Sequence, residues 1–153
     1  MVAVTGVTKA GKESRHSLSN TGPRRFLGVE CDFSICARDG KTETPLAPLI
    51  RTLANQGITV ADMCASILMH LAHLGPLTCA TYSGGKSYHG SFFVEGETED
   101  KIMRFFRYAV SLGADPLTWT KSQFVRMPDG MRDNGNRQTV YFYSPGLLKS
   151  PRE

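Results

Sequence analysis

The segment Ser83-Gly84-Gly85-Lys86-Ser87-Tyr88-His89-Gly90 lies between two short apolar runs, Leu77 to Tyr82 and His89 to Glu95. Both runs read as strands, and the glycine pair between them gives the backbone freedom that a tight loop demands. A strand–loop–strand unit must bury one face against something else. The flanking sequence offers helices for that purpose. Leu46, Leu49, Ile50 and Leu53 fall at helical spacing over 46–56, between Pro45 and a stop at Gly57. Val60, Met63, Ile67, Leu71 and Leu74 form the stripe of a second helix over 60–74, ended by Gly75-Pro76. Thr98 caps a third, with Glu99 and Asp100 in its first turn, an apolar face of Ile102, Phe105, Phe106, Ala109 and Leu112, and a stop at Gly113.

Three further strands complete the expected set: an apolar run over 26–32 that ends in acid, a short strand over 122–127, and a final one over 138–143. Asp39-Gly40, Asp115-Pro116, Pro128-Asp129-Gly130 and Asp133-Asn134-Gly135-Asn136 mark turns. There is no internal repeat. The expected class is α+β, with residues 1–24 a flexible basic arm, 25–146 the folded core and 147–153 a tail.

The chain has 153 residues, enough for one domain with a real core. Its net charge of +4 permits nucleic-acid binding without demanding it. No apolar run approaches the length of a membrane span, and no signal-peptide core is present, so a cytoplasmic setting without membrane contact is expected. Cys31, Cys36, Cys64 and Cys79 form no CxxC pair, which suits reduced thiols. A zinc site from Cys64, His70, His73 and Cys79 is disfavoured, because that segment reads as a helix and a strand.

Three groups of residues carry chemistry. The loop around Lys86, Ser87 and His89 combines backbone amides, a cation, a hydroxyl and an imidazole, the set a polyphosphate needs. It is not a P-loop: Ala80 stands where the first glycine belongs, and the loop leads into a strand. A plain hairpin turn with a surface lysine is the alternative. Glu30 and Asp32, two apart on a strand, point to one face, where a divalent cation relieves their repulsion. A solvated strand end is the alternative. Asp115 alone is a turn residue, or a third carboxylate beside that pair. The arginines between Gln123 and Gln138 suit a triphosphate or a template backbone, or else a solvated hairpin. Tyr82, Tyr88, Phe92, Phe93, Tyr141 and Tyr143 lie on expected strands, where they either stack bases or fill the core.

Taken in order, these residues resemble the archaeo-eukaryotic primase superfamily, in particular the primase-polymerases of phages, plasmids and integrated elements. Glu30-Cys31-Asp32 is similar to the family's acidic pair, Ser87-Tyr88-His89 to its Ser-x-His motif, and Asp115 to its single later acid. Trp119 to Pro128, Arg132 to Gly135 and Arg137-Gln138 also look like the mobile-element subgroup, so the resemblance spans residues 26–145. It implies an RNA-recognition-motif-like sheet with packed helices. It implies that Glu30, Asp32 and Asp115 hold two Mg²⁺ or Mn²⁺ ions, with His89 beside them in the catalytic set. Lys86, Ser87, His89 and Arg126 are implied to bind the incoming nucleotide's phosphates. The implied reaction is template-directed nucleotidyl transfer on single-stranded DNA from nucleoside triphosphates, with a replicative helicase as an associated partner. One departure stands out. The α/β unit that precedes the acidic pair in the family has no counterpart in the mostly polar residues before Phe26. A non-catalytic module binding nucleotide or single-stranded DNA therefore stands as the alternative.

Overall fold

The computed structural model describes residues 6–7, 13–14, 23–31, 33–37, 39–120 and 128–148. Asp32, Arg126 and the strand expected over 122–127 lie outside them, as does most of the expected arm and tail. Within that arm, β1 (Gly6–Val7) and β2 (Glu13–Ser14) pair antiparallel.

The described core is α+β: one four-stranded antiparallel sheet carrying helices. Its strands are β3 (Phe26–Glu30), β4 (Leu77–Tyr82), β5 (Tyr88–Phe93) and β6 (Val140–Tyr143), in the order β3-β5-β4-β6. The helices are α1 (Ala47–Asn55), α2 (Val60–Ala72) and α3 (Glu99–Ser111). No helix among the described residues is long and apolar enough to cross a membrane.

Local chemistry sets the helix ends. The Thr59 hydroxyl accepts from the Asp62 amide while the Asp62 carboxylate accepts from the Thr59 amide, a reciprocal cap that starts α2. The hydroxyl of Thr98 accepts from the Lys101 amide and starts α3, with Glu99 and Asp100 facing the positive end of the dipole. Gly113 ends α3 with φ +109°, and a Cβ there would stand 2.2 Å from Phe33 Cε1. Only glycine allows the chain to turn back so closely over Phe33.

One sheet face is covered. Leu27 and Val29 of β3 and Phe92 of β5 alternate onto it and meet Cys64, Leu68 and Leu71 of α2 and Ile102, Phe106 and Ala109 of α3. Phe92 is fully buried, so truncating it to alanine is expected to cost about 3–5 kcal/mol. Phe93 is buried as well, which makes both phenylalanines core residues and not a stacking surface. Tyr141 and Tyr143 on the edge strand β6 are exposed. Helix α1 buries little beyond Ala47 and Ile50, leaving Leu46 and Leu49 partly in water.

Strand boundaries differ from the sequence pattern in three strands: β5 covers Tyr88–Phe93 where 89–95 was expected, and β3 and β6 are shorter than expected. The β3 ladder stops at Glu30, and Cys31 pairs instead with Ala114 in a single bridge. β6 starts at Val140 because Gln138 closes the preceding turn. Its amide donates to the Gly130 carbonyl, and its carbonyl accepts from the Asp129 amide.

Candidate functional site

Strand pairing creates the first part of the site. Glu30 is the last paired residue of β3, and its cross-strand partner on β5 is His89. Both side chains therefore leave the sheet on the face opposite the helices. His89 Nε2 stands 3.3 Å from Glu30 Oε1, with side-chain exposures of 14% and 32%. On its other side His89 faces Thr81 of β4.

The second part arrives along the outer flank of β3. After the Cys31–Ala114 bridge, the Asp115 amide donates to the Glu30 carbonyl at 2.8 Å. A 3₁₀ turn, Pro116–Trp119, then runs back along β3. The Arg24 guanidinium donates to the Trp119 carbonyl at 2.7 Å and lies 4.3 Å from the centre of its ring. Burial lowers the pKa of this guanidinium, and nearby Glu99 opposes the shift. The flank is thus tied at both ends, and Asp115 is held at the acidic end of β3. Asp115 Oδ1 also accepts from the Leu117 amide at 2.9 Å, so it caps the 3₁₀ turn. The turn reading holds for this residue, whose backbone amide lies at the Glu30 carbonyl.

The third part is the glycine loop between β4 and β5. The Ser83 amide donates to the Ser87 carbonyl at 2.8 Å, and the Ser87 amide donates to Ser83 Oγ at 3.2 Å, closing the loop at its base. Ser87 itself is buried. Lys86 is exposed, and its Nζ reaches the Phe33 carbonyl at 3.4 Å, across the chain that follows Glu30. The turn over 128–138 packs against this loop. Arg132 Nη1 donates to the Ser83 carbonyl at 3.2 Å, and Asn136 Nδ2 donates to the Gly84 carbonyl at 2.7 Å. The hydroxyl of Tyr82 donates to the Gly85 carbonyl.

Glu30 and His89 therefore meet at the end of β3, the backbone of Asp115 is bonded to the Glu30 carbonyl there, and the Lys86 ammonium reaches the carbonyl of Phe33, three residues beyond Glu30. Ser87 lies at the base of the same loop. Arg132 belongs to the arginines expected to meet a triphosphate or a template backbone, whereas Asn136 is a functional candidate that motif reading did not single out. The signal for their meeting with the loop was indirect: a Gly-Gly loop leaves carbonyls that need donors, and a turn rich in Asn and Arg supplies them.

The donor set for a metal is partial. Glu30 and Asp115 offer hard carboxylate oxygens of the kind Mg²⁺ and Mn²⁺ prefer. Among the described residues no group of three or more His, Cys, Asp or Glu side chains could hold an ion. The third expected ligand, Asp32, lies outside those residues. Cys31, between the two acids, is fully buried, and the Cys64 thiol donates to its carbonyl at 3.2 Å. Hydrogen bonding with Cys64 and then burial push the Cys31 thiol far above its ordinary range, which makes it a poor ligand and nucleophile. His70 accepts or donates a 2.8 Å hydrogen bond with the Tyr108 hydroxyl on the helical side of the molecule.

No family model matches the chain, and comparison with curated proteins and with solved structures gave no match.

Proposed function

We propose that the end of β3 and the glycine loop form a nucleotide site, and that the chain is a primase-polymerase that transfers nucleotides to a growing strand on a single-stranded DNA template. The observation that carries this reading is the Glu30–His89 pair at the end of β3, with the backbone of Asp115 bonded to the Glu30 carbonyl and the Lys86 ammonium at the nearby Phe33 carbonyl. Nothing in the packing of the core requires these residue types to meet there.

Lys86 and His89 neutralise phosphate charge from the loop side. Glu30 holds the His89 ring, and Asp115 brings a second carboxylate to the end of β3. Glu30, Asp115 and Asp32 are the residues that would hold Mg²⁺ or Mn²⁺, which supplies charge neutralisation at the phosphates and activation of the attacking hydroxyl. The strand order β3-β5-β4 with helices on one face supports an RNA-recognition-motif-like core. The last strand departs from that pattern: β6 adds beside β4, and the flank of β3 meets the 114–119 segment.

A second reading has its own support. Asp115 is engaged as a cap, Glu30 is engaged with His89, and the described residues hold no three-ligand group. A module that binds nucleotide or single-stranded DNA without chemistry fits those facts.

The deciding experiment is incorporation of labelled nucleotides on single-stranded DNA with Mg²⁺ or Mn²⁺, beside Asp32→Ala and Glu30→Ala. Metal-dependent product that both variants lose supports the enzyme. Absence of product, with nucleotide binding retained, selects the binding module.

A further inference from the structure

The glycine loop is held from outside by its carbonyls. Three successive peptide units, Ser83–Gly84, Gly84–Gly85 and Gly85–Lys86, each give their carbonyl oxygen to a side chain: Arg132, Asn136 and Tyr82 in turn. In a trans peptide the N–H points opposite to the C=O. Pinning the carbonyls of Ser83 and Gly84 toward the 128–138 turn therefore aims the amides of Gly84 and Gly85 away from it. Gly84 has φ +71°, the left-handed conformation at which consecutive amides converge into an anion-binding nest. Among the described residues, no acceptor meets the Gly84 or Gly85 amide.

The approach is close. A Cβ on Gly84 would stand 3.0 Å from Arg132 Cδ and 3.2 Å from Asn136 Cβ, and one on Gly85 would stand 3.0 Å from Arg132 Nη1. Glycine at these positions admits the clamp as well as the turn. The 128–138 turn is itself braced. The Arg132 amide donates to the Asn136 carbonyl at 2.9 Å, and Arg137 pairs with Asp129 at 2.7 Å.

We infer that Arg132 and Asn136 are positioning residues that hold the Gly84 and Gly85 amides as a nest for the phosphates of a nucleoside triphosphate. This rests on the nucleotide-site reading above. It gives these residues a role distinct from direct phosphate or template contact: they act through the loop backbone.

The test is calorimetric titration of the full chain with inorganic tripolyphosphate, ATP and adenosine, comparing wild type with Lys86→Ala, Asn136→Ala and Arg132→Lys. Asn136→Ala should weaken tripolyphosphate and ATP alike by about tenfold, the cost of a misdirected charged hydrogen bond, and leave adenosine unchanged. Arg132→Lys, which keeps charge and a donor but loses the planar fork, should fall between wild type and Asn136→Ala. A merely structural role would lower the bound stoichiometry and leave the Kd of the folded fraction at the wild-type value. If Asn136→Ala does not fold, Arg132→Lys carries the comparison alone. Binding lost in Lys86→Ala but kept in Asn136→Ala and Arg132→Lys overturns the positioning role and leaves the nucleotide site standing. Absence of tripolyphosphate and ATP binding by wild type overturns the nucleotide site, and the positioning role with it.

Discussion

The two halves of the candidate site are built in opposite ways. At the acidic corner, backbone places the side chains: strand register sets Glu30 against His89, and an amide-to-carbonyl bond sets Asp115 beside them. In the glycine loop, side chains place the backbone: Arg132, Asn136 and Tyr82 reach in and hold three carbonyls. The difference predicts how each half responds to substitution. Replacing a corner side chain removes chemistry and leaves geometry in place. Replacing a loop anchor leaves the chemical groups present and changes where they point.

The largest effect is expected at the corner. Glu30→Ala and His89→Ala should each lower nucleotide incorporation by about 10²- to 10⁴-fold, the range for losing a positioned acid–base or charge-stabilising group. Circular dichroism and thermal midpoints should stay near wild type, because both residues lie at a strand end on the face opposite the core. Full activity in either variant would remove that residue from the site. Collapse of the fold in both would show that the corner is not independent of the sheet.

Asp115→Asn separates two jobs in one residue. The amide oxygen of asparagine can still accept from the Leu117 amide, so the 3₁₀ cap and the approach to Glu30 should survive. The carboxylate charge is lost. If Asp115 is a third acid of the site, metal-dependent incorporation should drop by about 10²-fold with unchanged stability. If it serves only as a cap, Asp115→Asn should be silent and Asp115→Ala mildly destabilising.

Moving to the loop, Gly84→Ala should cost about 1–2 kcal/mol in urea denaturation, because alanine is strained at positive φ. Its methyl would also crowd Arg132 Cδ and the Arg137 carbonyl, at 3.0 and 3.1 Å. Tripolyphosphate affinity should fall with it. A stable variant with wild-type affinity would mean that the clamp can give way without disturbing the amides.

This contrast also explains what the sequence made legible. Helices α1, α2 and α3 announced themselves through periodic apolar faces, with Thr98 and glycine stops marking their ends, since those signals are local. Strands β4 and β5 were equally plain on either side of the glycine pair. Glu30, His89 and Lys86 stood out as residue types at strand ends and in a loop. Their meeting was not readable, because it depends on β3 pairing with β5, Glu30 and His89 being 59 positions apart in the chain, at one register. The early stop of β3 was hidden for a related reason: an apolar pattern cannot show that Cys31 leaves β5 for Ala114. Arg132 was legible as a candidate for phosphate or template contact and Asn136 as a turn residue, but their grip on the loop was not, since their partners are backbone carbonyls that carry no sequence signature.

The smallest effect tests the third anchor. Tyr82 contributes its hydroxyl to the Gly85 carbonyl, while its ring packs against Tyr88 and Tyr141 with centroids 5.3 and 6.4 Å away. Tyr82→Phe keeps that aromatic cluster and removes the hydroxyl alone. Among the three pinned peptide units, Gly85–Lys86 carries the amide nearest the lysine, so loss of its anchor should loosen one of three donors. A neutral hydrogen bond of this kind contributes about 1 kcal/mol, which corresponds to a few-fold weaker ATP and tripolyphosphate binding and a modest fall in thermal midpoint. A loss as large as that of Asn136→Ala would show that the Lys86 amide matters as much as the glycine amides. No change in affinity would confine the nest to Gly84 and Gly85, leaving Lys86 to act through its side chain, whose ammonium already reaches the Phe33 carbonyl beside the acidic corner.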